Sequence, residues 1–446
     1  MASGAKLPIR TKLGFGVCDL GGNLFFTAMG FWSIYYLTDV VGIGAGQAGA
    51  AVMVGKLWDA VTDPMMGYIS DRTRSRWGRR RPYLLFGAVP LLLTMWFFFT
   101  KPAISGEAAL AVWAAVALML LNTAYTVVNI PYSSLTPELT DDYHERSSLN
   151  GFRFGFAVFG TILGAAAVQP LVGLFATKPA GFSATGLVLG AVMAATALTT
   201  AFSVREKDHS KTELPKDGFF ATYAAVFRNK PYVILLLTYA LNLTGLTFIQ
   251  TILVYYTKYI YGDEGLTTAA MIALLLVAMA CIPISVLVSK RLGKKRTYQI
   301  SFALMASACA AIFLFGHTLG PKFFIAMMVY AGAGVGFGYV PPWAMVPDTV
   351  EYDAKRTGKR KEGAFYGMWT FTSKVGTSLA LFATGIILNW GGYVADAVQS
   401  EAGKLAIRLI VGPIPVAILI AAIVLIQFYP LDEKAYNAIL AEEKAS

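Results

Sequence analysis

The sequence predicts an all-α membrane protein of twelve transmembrane helices, arranged as two pseudo-symmetric six-helix bundles. Three observations predict it. The 446 residues are 56% hydrophobic and only 14% charged, against about 25% charged in a typical soluble chain. The apolar residues fall in runs near or above the ~20 residues a helix needs to cross ~30 Å of hydrocarbon. Two motifs of the first half recur in the second half at nearly one spacing. The composition excludes a soluble enzyme, a disordered chain and an ordinary nucleic-acid binder.

In chain order the twelve runs are 14–41, 44–70, 82–101, 107–136, 150–177, 182–204, 231–260, 266–289, 297–317, 321–346, 363–390 and 405–429. They are continuously apolar rather than alternating, which selects helices over a barrel. The first follows Lys6, Arg10 and Lys12 and superficially resembles a secretory leader. It continues to Val41 without a small-residue cleavage site, and many similar runs follow, so it is read as a span. The longest polar connection, 205–230, contains "REKDHSKTELPKD" and divides the runs six and six. The expected organisation is a bundle over 1–204, a central cytoplasmic loop over 205–230, a second bundle over 231–430 and a cytoplasmic tail over 431–446. Within the loop, "FFATYAAVFR" at 219–228 reads as an amphipathic segment suited to a membrane surface.

Of 37 Lys and Arg, 28 fall in the termini and the loops on their side of the membrane, and only six on the opposite side. That bias places both termini in the cytoplasm of an inner or plasma membrane. The net charge of +11 is therefore an orientation signal, not a nucleic-acid footprint. The repeats are "WGRRRPY" with "LGKKRTY", where Gly78 maps to Gly293, and "PYSSLTPE" with "PPWAMVPD", where Pro131 maps to Pro341 and Pro137 to Pro347. Parallel repeats of this kind build transporters. Cys18, Cys281 and Cys309 lie in apolar stretches and read as small buried side chains. The three His are far apart in sequence, and no metal-ligand spacing or cofactor motif is present.

The informative residues are ionisable groups inside the runs, each costing about 2.5–3.5 kcal/mol at mid-bilayer. "VGKLWDAVTDPMMGY" carries Asp59 and Asp63 four residues apart, on one helix face. Adjacent carboxylates in low dielectric repel, and a proton or a small cation between them relieves the repulsion. Thr62 adds a hydroxyl, and Pro64 frees a carbonyl near Ala60 or Val61; a hard cation favours such oxygen ligands. The alternative is an ion pair, with Lys56 serving Asp59 and Lys374 or Arg153 serving Asp63. Asp19 and Asn23 are again four apart, Asp19 near the cytoplasmic end. Asn122, Tyr125, Thr126 and Asn129 share one face of the fourth run, as the wall of a polar cavity or a helix seam. Trp32, Tyr339, Trp343, Tyr366 and Trp369 are interface anchors, packing residues or stacking faces for a sugar ring.

These stretches, with "YYLTDVVG", "WDAVTDPMMGYISDRTRSRWGRRRP", "YTVVNIPYSSLTPELT", "ERSSLNGFR" and "VPDTVEYDAKRTGKRKEGAFYG", resemble the glycoside–pentoside–hexuronide:cation symporter family of the major facilitator superfamily over nearly the whole chain. The resemblance implies the major facilitator fold and solute uptake coupled to sodium or protons by alternating access. It implies a coupling-cation site at Asp59, Asp63, Thr62 and Thr126. It implies solute contacts at Asp19, Asn23, Tyr125, Asn129, Arg153, Tyr339, Trp369, Thr370 and Lys374. Gating contacts are expected around Asp71, Arg79 and Glu138 in one half and Lys294, Asp348 and Glu351 in the other.

The chain departs from the family's type member on the sugar side. A Lys-Asp pair there reads Gly22 and Asn23, an Asp reads Asn129, and a stacking Trp reads Ser133. The pocket is less anionic, leaving Arg153 and Lys374 for an anion: a hexuronide, a sulfo-sugar or another anionic solute, with a neutral glycoside held by Asn side chains as the equal alternative. An uncoupled facilitator or exporter and a lysolipid-type amphiphile symporter are the other readings on the same fold. A transporter-like receptor or scaffold is the reading from another class. The expected partners are a small solute and the lipid bilayer, not nucleic acid, and the expected state is a monomer.

Overall fold

The computed structural model describes residues 7–135, 139, 143–206, 226–357 and 362–431, and every regular element among them is helical. The chain divides into two units. The first is Met1–Glu213 with Phe382–Val398, and the second is Leu214–Leu381 with Gln399–Ser446.

The first unit holds α1 (Ile9–Gly16), α2 (Cys18–Tyr35), α3 (Ala45–Arg72), α4 (Arg81–Phe98), α5 (Glu107–Ser133), α6 (Tyr143–Ala166), the short α7 (Val168–Gly173) and α8 (Lys178–Ser203). Within it α2 packs on α6 and α8, α3 on α5, and α4 on α5 and α8. The approach of α2 to α6 is set by glycine: a Cβ on Gly160 would overlap the Leu20 carbonyl oxygen, and one on Gly164 would stand 2.5 Å from that of Leu24. In lipid, where apolar burial drives helices together only weakly, such close backbone contact supplies the packing. The segment Phe382–Val398 joins this unit through Tyr393, whose hydroxyl donates to Asp39 Oδ2 at 2.5 Å.

The second unit holds α9 (Lys230–Tyr256), α10 (Gly265–Leu292), α11 (Lys294–Ala311), α12 (His317–Thr357), α13 (Glu362–Trp390) as far as Leu381, α14 (Glu401–Val411) and α15 (Pro413–Gln427). Here α10 packs on α12, α11 on α12 and α15, and α9 on α15. These pairings repeat those of α3 with α5, α4 with α5 and α8, and α2 with α8.

The repeat extends to backbone detail. Gly78 and Gly293, matched in the sequence, both have positive φ, at 105° and 85°, in the turns that lead into α4 and α11. Sequence reading missed a third correspondence. Tyr36–Val41 and Thr257–Tyr261 are π-helical ends of α2 and α9, closed by Gly42 and Gly262 at φ 92° and 73°. The pairs Tyr35-Tyr36 and Tyr255-Tyr256 mark it in the sequence.

Ten helices among the described residues are long and apolar enough to cross a membrane. One of them, Lys294–Asp353, is 60 residues, long enough to cross twice, and it bends at Gly320, φ 78°. α3 is absent from the ten although it has 28 residues, because Lys56, Asp59, Asp63, Asp71 and Arg72 lower its hydropathy. The expected run 150–177 is split: α6 ends at Ala166 and α7 at Gly173. All three Cys are free thiols, two of them buried. Much of the central loop, with residues 219–225 of the expected surface segment, and the tail beyond Leu431 lie outside the described residues.

Candidate functional site

The carboxylate pair of α3 meets α5. Asp59 is 1% exposed and Thr126 is buried beside it. Thr126 Oγ1 stands 2.8 Å from Asp59 Oδ1 and 2.9 Å from Asp63 Oδ1. The i, i+4 spacing puts both carboxyls on one face, and α5 carries Thr126 to them. A hydroxyl has one proton and donates it once. The Thr126 hydroxyl can therefore donate to only one of the two carboxyl oxygens at a time, while standing within hydrogen-bond distance of both. Thr62 lies one turn away with its hydroxyl donated to the Asp59 carbonyl at 3.2 Å, which leaves its lone pairs as acceptors. Asn122 ties the two helices together a turn away, donating to the Gly55 carbonyl at 3.1 Å.

Beside this cluster lies an aromatic wall. The Tyr125 ring stacks on Phe25 at 4.2 Å and meets Phe26 edge-on at 5.3 Å. The buried Lys56 ammonium stands 5.8 and 5.2 Å from the centroids of the same two phenyl rings. A Cβ on Gly22 would lie 3.4 Å from the Tyr125 hydroxyl and 3.9 Å from Asn129 Oδ1. The absence of a side chain at 22 therefore opens the space in front of both polar groups.

The carboxylate that holds Arg153 is Asp19: Nε donates to Oδ2 at 2.5 Å and Nη2 to Oδ1 at 3.4 Å. The close α2–α6 crossing fixed by Gly160 and Gly164 brings these helices together along the same seam. Tyr132 donates its hydroxyl to the same Asp19 oxygen at 2.7 Å, and its ring centroid is 5.0 Å from the guanidinium carbon. Asn23 Nδ2 donates back to the Asp19 carbonyl at 2.8 Å. Tyr132 was missed by sequence reasoning. The signal was there, since it lies seven residues after Tyr125 and three after Asn129, on the stripe already recognised.

In the second unit Trp369 is 1% exposed. Its ring is stacked on Tyr239 at 4.1 Å and approached by Trp343 at 6.0 Å. It is a supporting wall, and Trp343, 48% exposed, presents the accessible aromatic surface. Tyr239 was not anticipated. Tyr339 is exposed. Thr370 is exposed too, its hydroxyl turned to the Tyr366 carbonyl at 3.1 Å. Lys374 is half-buried in the middle of α13.

Of the expected gating residues, Lys294 and Asp348 form a direct pair at 2.6 Å, and Lys294 also donates to the Ala344 carbonyl at 3.0 Å. Glu351 is half-buried one turn further along α12. Arg79 is held through its backbone: Glu206 accepts from the N–H groups of Arg79, Arg80 and Arg81 at 2.7, 2.9 and 2.7 Å. A carboxylate thus caps the positive end of α4. Glu138 and the side chain of Asp71 lie outside the described residues.

Residues 14–433 match the family described as MFS/sugar transport protein, and the chain belongs to that family. It is a multi-span membrane transporter, not an enzyme. It is 31% identical to a putative sulfoquinovose importer of Salmonella typhimurium, over 98% of this chain and 93% of that protein. It is 28% identical to the glucuronide carrier protein homolog of Escherichia coli, over 98% of this chain and 96% of that protein. In fold it is similar to the crystal structure of the nucleoside transporter NupG, with a TM-score of 0.65 at 14% identity, covering 94% of this chain and 99% of that one.

Proposed function

We propose that the chain is a twelve-helix symporter that couples uptake of a sugar-type solute to a sodium ion or a proton by alternating access, with both termini cytoplasmic. The observation that carries the coupling is the Thr126 hydroxyl held between Asp59 and Asp63. A cation or proton there relieves carboxylate repulsion and settles α3 against α5. The helix that carries Thr126 also carries Tyr125 and Asn129, so cation binding and solute binding share one element. Linkage makes such coupling reciprocal.

Anionic sugars, the hexuronide and sulfo-sugar class, fit the solute side best. The space in front of Gly22 is faced by neutral Asn129 and Tyr125, and Arg153 is a bidentate partner for a carboxylate or sulfonate. The relatives named for sulfoquinovose and glucuronide agree with this chemistry.

The test is uptake into proteoliposomes, with solutes first chosen by a thermal-shift screen of sugars, glycosides, hexuronates and sulfo-sugars with and without sodium. Ligand stabilisation follows mass action. The double variant Asp59→Ala/Asp63→Ala is expected to lose gradient-driven accumulation. Full accumulation by that variant, still driven by the cation gradient, sinks the assignment.

A further inference from the structure

Beside the turn of α5 that carries Thr126, the first unit has an apolar groove of about 500 Å³. Its wall on α4 runs from Pro82 through Phe86 and Pro90 to Thr94, and its wall on α5 includes Leu120 and Val127. Phe86 is 62% and Leu120 48% exposed, so the groove opens sideways, and in a membrane-spanning helix pair that side meets lipid. From Pro82 to Thr94 the helix rises about 18 Å. One leaflet contributes about 15 Å of hydrocarbon. The groove is as long as a single acyl chain standing in one leaflet.

One end of the groove is polar and basic. Thr73 and Tyr83 line it, with their hydroxyls 2.5 Å apart. From Arg72 to Tyr83 the chain has six arginines and no acid. Arg72, Arg74 and Arg76 are exposed. The Arg76 guanidinium lies 4.6 Å from the Trp77 ring, and Trp77 contacts the groove residue Phe86 at 5.3 Å. Orientation in the membrane requires only the positive charge. It does not require a leaflet-long apolar groove ending at that charge.

We propose that this groove is a binding site for an anionic phospholipid of the arginine-side leaflet. One acyl chain lies along Phe86, Pro90 and Leu120. The glycerol region meets the Thr73 and Tyr83 hydroxyls, and the phosphate is held by Arg74 and Arg76. The lipid spans the end of α3, α4 and α5, and it buttresses the back of the turn that presents Thr126 to the carboxylates. The site is independent of which solute is carried.

The test uses the purified full chain in detergent, with phosphatidylglycerol or phosphatidylcholine of identical acyl chains, read by native mass spectrometry and thermal unfolding. One tightly retained phosphatidylglycerol and a rise of several degrees in Tm are expected, with neither from phosphatidylcholine. Arg74→Gln/Arg76→Gln is expected to weaken retention by roughly tenfold or more, as basic residues at an anionic headgroup should. Leu120→Trp fills the groove with the arginines intact and is expected to abolish retention at unchanged lipid-free Tm. Where that variant lowers the lipid-free Tm, Phe86→Ala, which removes the link to Trp77, is expected to give the same loss. Equal response to the two lipids, wild-type retention in the arginine variant, or wild-type retention in both groove variants overturns the proposal.

Discussion

Arg153 Nε donates to Asp19 Oδ2 at 2.5 Å across the α2–α6 seam, although the two residues are 134 positions apart. Both side chains are mostly shielded, 23% and 17% exposed, and Tyr132 completes the network with a hydroxyl on the same oxygen. The guanidinium thus carries an internal counter-ion, which on the proposed function an incoming carboxylate or sulfonate would replace.

Asp19→Asn keeps the shape and removes that counter-ion. The variant is expected to lose roughly 1.5–3 kcal/mol of stability, the scale of a charged hydrogen bond. It is also expected to bind anionic sugars more tightly and neutral glycosides unchanged. Thermal unfolding and solute titration of the same preparation check both halves.

Thr126→Val is nearly isosteric and removes the hydroxyl shared by Asp59 and Asp63. Cation-driven uptake is expected to fall by roughly tenfold, which corresponds to about 1.4 kcal/mol. Thr126→Ser is expected to restore most of it. Uptake under a fixed sodium or proton gradient is the measurement, and solute counterflow without a gradient is expected to fall less.

Gly160→Val places a Cβ where the Leu20 carbonyl oxygen stands. Backbone cannot yield as a side-chain tip does. The helices must separate, at a cost of about 1–3 kcal/mol or more, and the Arg153–Asp19 pair is expected to part. A lower Tm together with lost solute binding is the expected result, whereas Gly160→Ala should show a milder form of both.

Glu206→Ala removes the acceptor of three consecutive backbone N–H groups at the start of α4. The expected loss is about 1–2 kcal/mol, the scale of a helix cap with its dipole interaction. Glu206→Gln, which keeps an oxygen acceptor but not the charge, is expected to recover part of it. Thermal unfolding of the two variants separates hydrogen bonding from charge.

Trp343→Ala and Trp369→Ala are expected to fail differently. Trp343, half exposed, should lose solute affinity with little change in Tm. Trp369, buried against Tyr239, should lose about 3–5 kcal/mol, the scale for deleted buried aromatics. Parallel solute titrations and melting curves distinguish the two.

The sequence by itself determined what periodicity and composition carry. Runs of apolar residues mark the helices, because lipid demands that a helix satisfy its own backbone. The i, i+4 spacing put Asp59 and Asp63 on one face, and the stripe from Asn122 to Asn129 on another. The doubled motifs paired Gly78 with Gly293, which share a positive φ. Only the tertiary structure decided which stripe faces which. Thr126 was assigned to the carboxylates through family resemblance, while its position between them, 2.8 and 2.9 Å away, comes from the α3–α5 crossing. Arg153 could have served Asp63 by charge alone, and the structure gives it to Asp19. Tyr239 and Glu206 went unnamed because each acts on a residue far from it in sequence; Tyr132 lay on the recognised stripe, but its partner Asp19 is 113 positions away. The physical reason is that helix crossings are set by small residues such as Gly160 and Gly164, whose sequence signal says where backbones approach but not which charges the approach will join.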